Sequence, residues 1–232
     1  MAFLTSGRRA AVLAPLLIVL ALGLGAARPG PGLAGAAQAA APPPSVTLAD
    51  VARALAATRT MTADFTQVSA EGRVASGRMV LRRPGQARFD YGPDGRILIV
   101  ADGRTLSFVD YRVRQVSQWP IRATPLAVLL DPAADLSRLA RVLPESESPL
   151  PGTVAVLAAD PDRPDLGRIL FLLERRAEAP GGLMLSGWRV QDAQNRLTTV
   201  TLGNVRWNVD VSGVRFGFDD PRRRPGAGGR PG

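Results

Sequence analysis

Hydrophobic positions along the chain follow two different periods. From Leu48 to Leu55, apolar residues recur at helical spacing, and Thr47 stands where a helix N-cap is expected. This pattern predicts a first helix that ends near Thr58, because threonine is a poor helix former. From Thr62 onward, short apolar segments recur about every 8 to 12 residues between Gly, Pro and Asp. Such spacing is typical of an antiparallel sheet or barrel.

The same pattern predicts eleven strands and two further helices. The predicted strands cover residues 62–68, 74–82, 87–91, 97–101, 105–110, 115–120, 153–159, 168–174, 183–192, 196–206 and 214–217. The two helices are expected at 125–130 and 135–142, between the sixth and seventh strands. Tight turns are predicted at Asp94–Gly95 and Asp102–Gly103.

Several predicted strands carry apolar side chains on both faces, as in the run from Ile97 to Val100. An antiparallel sheet with one face in water would alternate, so both faces are expected to be covered. Helices would cover one face, and the far side of a barrel or a bound apolar ligand would cover the other. The helix at 125–130 is apolar nearly all round. It is therefore either a buried corner or a cover for something that is sometimes absent.

The N-terminal region has the order of a secretory signal peptide. Two adjacent arginines precede an apolar run at 10–27, and small residues follow at 34–41. We expect a signal peptide at 1–39, cleaved after Ala39. Cleavage after Ala27 and an uncleaved membrane anchor are the alternatives. The arginine pair leaves both the general and the twin-arginine export routes open.

Charge is concentrated at the two ends of the chain. The sequence has 29 basic residues, all arginine, against 20 acidic residues, a formal net charge of +9. Seven arginines lie outside residues 45–220. The remaining 22 arginines and the 20 acidic residues give residues 45–220 a net charge of +2. A nearly neutral domain attracts the phosphate groups of DNA or RNA only weakly, so no nucleic-acid partner is expected.

Composition also sets the domain limits and excludes several kinds of site. Residues 40–46 form a proline-rich spacer, 47–220 are expected to fold as one domain, and the basic tail at 221–232 is expected to be disordered. Cysteine and histidine are both absent, which excludes disulfides, zinc sites built from these residues and serine–histidine or cysteine–histidine catalysis. No cofactor or metal is expected, and the carboxylates match no catalytic motif.

An ordered series of segments resembles the LolA family, the periplasmic outer-membrane lipoprotein carriers. The segments are 61–67 after the first helix, 77–85 with its Arg-Pro pair, the aromatic strand at 88–91, the hairpin at 97–106, the lid start at 124–130, and the strands at 202–205 and 216–218. Together they cover most of the chain from Leu48 to Asp219.

The resemblance implies a mainly β fold with helices (α+β). This fold is an open antiparallel half β-barrel of about eleven strands, with an apolar concave face closed by a helical lid. It also implies a periplasmic, monomeric carrier that takes acylated lipoproteins from an ABC-type releasing complex of the inner membrane to an outer-membrane acceptor. The family's acceptor is itself a lipoprotein, so the missing cysteine favours the carrier. No enzymatic activity is expected.

The resemblance also assigns residues. Arg83 of the Arg-Pro pair would couple the lid to the barrel, and Leu126, Leu129 and Leu130 would form the lid. The groove is expected to be lined by Phe65, Met79, Leu81, Phe89, Leu98, Val100, Leu106 and Phe108. An error of one residue in strand phase would exchange the two faces of the sheet. Ala87 departs from the family, which commonly has an aromatic residue at this place.

Three other functions stay open at this point. The chain could carry another lipid, such as a glycolipid, and Ala87 supports this alternative. It could be a sensor of misplaced lipoproteins, although such regulators carry a further C-terminal domain and only a short tail follows Asp220 here. An enzyme built on a carboxylate pair is the third alternative.

Overall fold

The computed structural model describes residues 45–92, 96–124, 126–130 and 135–223. The predicted signal peptide at 1–39, most of the spacer at 40–46, the turn at Asp94–Gly95 and the tail beyond Arg223 lie outside the described residues. Their predictions therefore stay predictions.

The first helix forms where the periodicity predicts it. This helix, α1, covers Leu48–Ala57, and Thr47 is its N-cap. The Thr47 hydroxyl accepts from the Asp50 backbone N–H, and the Asp50 carboxylate accepts from the Thr47 backbone N–H, which completes a capping box. Gly181, in a 3-10 turn, lies against α1: a Cβ at this position would stand 2.6 Å from the Ala54 Cα. A side chain at position 181 would push α1 away, so glycine here lets the helix pack closely against this turn.

The other elements are short helices and eleven strands of the described residues. The strands are β1 (Thr60–Val68), β2 (Val74–Arg82), β3 (Gln86–Tyr91), β4 (Ile97–Asp102), β5 (Thr105–Asp110), β6 (Gln115–Pro120), β7 (Ala140–Val142), β8 (Thr153–Ala159), β9 (Arg168–Arg175), β10 (Leu183–Gln191) and β11 (Leu197–Trp207). Two short α-helices, α2 (Ala127–Leu130) and α3 (Leu136–Leu139), lie between β6 and β7. Single 3-10 turns occur at Ile121–Ala123, Glu145–Glu147, Pro164–Leu166 and Pro180–Gly182.

All eleven strands belong to one antiparallel sheet. Their spatial order is β6-β5-β4-β3-β2-β1-β11-β10-β9-β8-β7. Strands β1 to β6 pair in sequence order, and so do β7 to β11. The first and last strands, β1 and β11, pair with each other and join the two halves in the middle of the sheet. The two outermost strands, β6 and β7, do not pair with each other, so the sheet stays open. The open antiparallel sheet of the predicted fold is confirmed.

Two predicted elements are wrong. Residues 135–142 were predicted as one helix, but α3 ends at Leu139 and Ala140–Val142 pairs with β8 as β7. Residues 214–217 were predicted as a strand, but they do not pair with the sheet. In this region Val211 and Phe216 are buried against the sheet through their side chains instead. The predicted number of strands is right because one error offsets the other.

The sheet is strongly curved, as one aromatic contact shows. The rings of Phe89 on β3 and Trp188 on β10 lie edge to face with centroids 6.0 Å apart. Four strand spacings separate β3 from β10, which in a flat sheet would be about 19 Å. The face that carries both rings is therefore concave. The main hydrophobic core fills this concave face, and a second, smaller core lies on the convex face.

Candidate functional site

The concave face is built from cross-strand rows of apolar side chains. One row runs through Met79, Phe89, Ile99 and Phe108, which are register partners on β2 to β5. The next row runs through Leu81, Ala87, Ala101 and Leu106. Because directly opposed residues in an antiparallel sheet share a face, each row presents its side chains to the same interior.

Six of the eight residues predicted for the groove lie on this face. Phe65, Met79, Leu81, Phe89 and Leu106 are buried in the main core, and Phe108 is half-buried opposite Ile99 on the same face. Phe65 contacts the rings of Phe89 and Tyr91 at centroid distances of 5.8 and 4.8 Å. Its ring passes so close to Gly77 that a Cβ there would stand 2.8 Å from a ring carbon. The lipid-binding role of the six residues stays a prediction.

The placement of Leu98 and Val100 in the groove is wrong. Both are buried on the convex face, in the smaller core with Val80, Val109 and Phe216. The error is one residue in strand phase, since β4 is apolar at four consecutive positions and does not alternate. Ile99 and Ala101 occupy the concave positions instead.

A short helix covers the groove. All four residues of α2 are buried, among them Leu129 and Leu130, and Leu126 just before the helix packs on the same core. These are the three leucines predicted for the lid, and residues 126–130 are called the lid from here on. An isolated helix of four residues has almost no stability of its own. The lid is therefore held by the apolar surface that it covers.

Two small voids lie under the lid among the described residues. One void of about 20 Å³ has an entirely apolar lining from α1, the lid, α3 and the strands β7 to β10. A second void of about 20 Å³ lies between Leu81, Arg83, Leu129 and Trp207. Each has room for about one water molecule. The structure is thus a closed state, in which side chains of the lid fill most of the space beneath it.

Arg83 places a charge at the border of this apolar space. It lines the second void together with Leu129 of the lid. Its Nε and Nη2 atoms are buried and have no hydrogen-bond partner among the described residues. Burial lowers the pKa of the Arg83 guanidinium from 12.5 to about 10, so the group stays charged at neutral pH. Burying two guanidinium nitrogens without hydrogen-bond partners is costly, which leaves Arg83 available to a polar partner.

The second half of the sheet supplies groove residues that the sequence analysis missed. Phe171, Leu173, Leu185, Trp188 and Trp207 are buried or half-buried in the same core. The sequence contains little signal for them, because β9 is apolar at every position from Ile169 to Leu173 and β10 has a bulge between Leu185 and Gly187. The groove is therefore wider than predicted and draws on both halves of the chain.

The convex face has a different cover, residues 208–219, called the C-terminal segment from here on. Arg88 holds this segment by donating to the backbone oxygens of Arg215 and Gly217 at 3.0 and 3.1 Å. The same guanidinium binds the Asp90 carboxylate through two hydrogen bonds of 2.7 and 2.8 Å. Elsewhere in the segment, the Phe216 ring lies 4.5 Å from the Arg82 guanidinium carbon.

An open cleft of about 500 Å³ lies between the C-terminal segment and the convex face. Its lining mixes apolar side chains with charges that pair among themselves, as in Arg88 with Asp90 and Arg215 with Asp219. Among the described residues, no helix is long and apolar enough to cross a membrane, and no three metal-ligating side chains come together.

Comparisons with known proteins place this geometry in a family. The profile described as outer membrane lipoprotein carrier protein LolA matches residues 56–219. An outer-membrane lipoprotein carrier protein of Chromobacterium violaceum is 29% identical over 197 residues, covering 82% of this chain and 89% of the relative. A second, from Chromohalobacter salexigens, is 28% identical over 167 residues, covering 68% of this chain and 76% of the relative.

Solved structures give a weaker similarity. A LolA superfamily protein from Nitrosomonas europaea has a TM-score of 0.41 at 11% identity, covering 75% of this chain and 99% of that one. An uncharacterized conserved protein from Thermus thermophilus has a TM-score of 0.45 at 10% identity, covering 74% of this chain and 94% of that one. The profile match spans more than half of the sequence, and the chain therefore belongs to the outer membrane lipoprotein carrier protein LolA family.

Proposed function

We propose that this protein carries acylated lipoproteins across the periplasm and shelters their acyl chains in the concave groove. The observation that carries the proposal is the apolar interior of the curved sheet, closed by a helix too short to be stable alone. The lipoprotein carriers named among its relatives support the choice of cargo. The proposed activity is transport and needs no catalytic step.

The energetics of acyl chains explain why such a groove is needed. Burying one methylene group stabilises by about 0.8 kcal/mol, so a multiply acylated protein does not leave a membrane unaided. A carrier must offer a comparable apolar surface. When empty, it must also hide that surface, because a large exposed apolar patch promotes aggregation.

The lid meets both requirements in this proposal. Leu129 and Leu130 fill the groove when no cargo is present, and acyl chains displace them when it is. Because lid and cargo compete for the same surface, the net free energy of loading is small. A small net free energy lets the carrier release its cargo to an acceptor that binds slightly better.

Partners and location follow from the same proposal. The cargo would come from an ABC-type releasing complex of the inner membrane and pass to an outer-membrane acceptor. The chain would reach the periplasm through its N-terminal signal peptide and act as a monomer. Arg83 would couple the lid to the sheet, because its unpaired guanidinium lies beside Leu129 and could donate to backbone oxygens of a displaced lid.

A second candidate cargo is a glycolipid or another lipid without a protein part. Ala87 and Ala101 are register partners on adjacent strands, and both are buried on the concave face. Two small residues side by side leave a shallow depression in the groove floor once the lid moves away. A ligand bulkier than linear acyl chains would fill such a depression.

The cargo can be identified by purifying the full-length protein from membrane extracts of its own cells and analysing bound molecules by mass spectrometry. Triacylated peptides are expected. Free glycolipids alone would support the second candidate and contradict the first. The absence of any lipid, in a protein that also fails to bind added lipoprotein, would overturn both.

The role of Arg83 can be tested with Arg83→Leu in a transfer assay. We expect cargo to load but its delivery to outer membranes to fall at least tenfold. Arg59→Leu is the matched control, since the Arg59 side chain is exposed and only its backbone oxygen contacts Arg83, at 2.8 Å. Equal delivery by both variants would contradict the assigned role.

A further inference from the structure

The two edges of the open sheet differ in how they are protected. Edge strands expose unpaired backbone groups, and proteins normally shield them by keeping them short or charged. At one edge, β7 has three residues and carries Arg141. At the other edge, β6 has six residues, Gln115 to Pro120, and none is charged. Apart from Pro120 at its end, the β6 edge therefore lacks the usual protection against pairing with another chain, as far as the described residues show.

The alternation of hydrogen bonds along the β5–β6 ladder shows which backbone groups of β6 do not bond to β5. The Ile121 N–H donates to the Arg104 oxygen at 2.9 Å, which makes these two residues a bonded pair at the end of the β5–β6 ladder. Bonded pairs alternate along an antiparallel ladder, so Gln115, Ser117 and Trp119 bond to β5. The N–H and C=O groups of Val116 and Gln118 consequently point away from the sheet.

The β4–β5 ladder gives the same phase independently. The Tyr111 N–H donates to the Arg96 oxygen at 2.8 Å, so Val109 and Ser107 bond to β4. The alternate residues of β5, Phe108 and Leu106, are then left to bond to β6. Both ladders therefore agree that β6 presents two complete N–H and C=O pairs outward.

Exposed apolar groups and a local excess of arginine accompany this free edge. The Trp119 side chain is 42% exposed at the rim of the concave face, and Val113 in the β5–β6 turn is 66% exposed. Residues 96–122 contain five arginines and two aspartates, a net charge of +3, whereas residues 45–220 as a whole have +2. The part of the sequence that contains β6 thus carries a net positive charge.

Two of these arginines flank the strand. Arg114 precedes β6, and Arg104 lies beside Ile121 at its other end. Among the described residues, neither guanidinium has a hydrogen-bond or ion-pair partner, because Asp110 binds Arg112 and Asp102 accepts from backbone N–H groups. Six strand residues place the two arginines about 20 Å apart.

We propose that the β6 edge binds an extended, acidic segment of a partner protein, which adds to the sheet as a twelfth strand. Backbone hydrogen bonds to Val116 and Gln118 hold the segment, Trp119 packs against one of its side chains, and acidic residues at its two ends meet Arg104 and Arg114. A second copy of this chain fits poorly, since pairing β6 with β6 in either direction brings arginine against arginine. This surface lies beyond the proposed cargo groove, and its test needs no cargo.

The test uses the full-length protein and a capped seven-residue peptide with glutamate at both ends and alternating valine and threonine between them. The expected results are a change in Trp119 fluorescence and slower amide exchange at Val116 and Gln118. A matched peptide with lysine at both ends is expected to bind at least tenfold more weakly. A Trp119→Phe variant identifies the fluorescence signal, because Trp188 and Trp207 are also present.

Two variants separate charge from backbone pairing. The double variant Arg104→Glu with Arg114→Glu is expected to prefer the lysine peptide. Gln118→Pro removes an outward N–H and is expected to weaken glutamate-peptide binding at least tenfold, since an edge strand tolerates proline. Gln118→Ala is its control: it loses only the side-chain bond to Ser107, of 3.0 Å, and keeps the N–H.

Three outcomes would overturn the proposal. They are equal binding of the two peptides, binding that Gln118→Pro leaves unchanged in a variant with a native thermal melt, and amide protection at β6 by vesicles of phosphatidylglycerol but not by the peptide. The last outcome would assign the edge to a membrane surface. None of the three bears on whether the groove binds acyl chains, so the proposed function stands or falls separately.

Discussion

The two faces of the sheet are covered by different kinds of structure. On the concave face, the lid contributes apolar side chains to the core, and the nearest guanidinium, that of Arg83, has no hydrogen-bond partner among the described residues. On the convex face, the C-terminal segment adds directed contacts to its apolar ones: Arg88 binds two of its backbone oxygens, and the Thr60 hydroxyl donates to the Val209 oxygen at 2.6 Å. An acyl chain can replace apolar contacts of the lid without loss, but it cannot replace hydrogen bonds. The lid is therefore the cover that is suited to move.

We expect the greatest loss of stability when the hydrogen bonds that hold the C-terminal segment on the convex face are removed. Replacing Arg88 by Met leaves the Asp90 carboxylate and two backbone oxygens without their donor. Hydrogen bonds to charged groups contribute about 1.5 to 3 kcal/mol each, so Arg88→Met is expected to lower the free energy of unfolding by about 2 to 3 kcal/mol. Denaturant unfolding measures it.

Arg215→Met is the control for this prediction. Arg215 lies in the same segment and pairs with Asp219, but both side chains are mostly exposed. An exposed ion pair contributes at most about 1 kcal/mol, and commonly far less. A similar loss in the two variants would mean that Arg88 does not fasten the segment more firmly than a surface ion pair does.

A smaller effect is expected from weakening the concave cover. Leu129→Ser removes a buried lid side chain that contributes about 1.5 to 3 kcal/mol to the closed state. The closed lid competes with ligands, so the variant should bind a fluorescent fatty-acid analogue about tenfold more tightly or better. Titration of the analogue into the empty protein measures this change.

Leu150→Ser controls for the loss of a leucine as such, because Leu150 is already largely exposed outside the lid. It should leave binding of the analogue unchanged. Weaker binding by Leu129→Ser would show that the lid is part of the ligand site and not its competitor. The contrast between the two covers would then disappear.

The sequence predicts those features that depend on local pattern. Short apolar segments, the capping threonine and the Gly and Asp turns place α1 and ten of the eleven strands to within about two residues, a typical boundary error. The strand β7 was missed because Ala140–Val142 is extended only through its pairing with β8. Such pairing is not encoded in three residues.

The site was predicted less completely, also for a physical reason. Phe89 stands between the polar residues Arg88 and Asp90, so its face is evident, whereas Leu98 and Val100 stand in a continuous apolar run that gives no phase. Trp188 was missed because its place in the groove depends on a curvature that brings β10 against β3. Curvature arises from the whole sheet and not from any single segment.

The smallest expected effect concerns the polar atom of Tyr91, on the concave face. Its hydroxyl donates to the Gln67 side chain at 2.8 Å, and burial raises the pKa of Tyr91 from 10.0 to about 12. Between these two values the folded state keeps a proton that the unfolded state loses, so the Tyr91 contribution to stability is present below pH 10 and decreases toward pH 12. Tyr91→Phe should therefore cost about 1 kcal/mol at pH 8, and less as the pH rises above 10. Unfolding of both proteins at pH 8 and pH 10.5 measures the difference, and a constant cost would mean that the concave face accepts a phenolate as readily as water does.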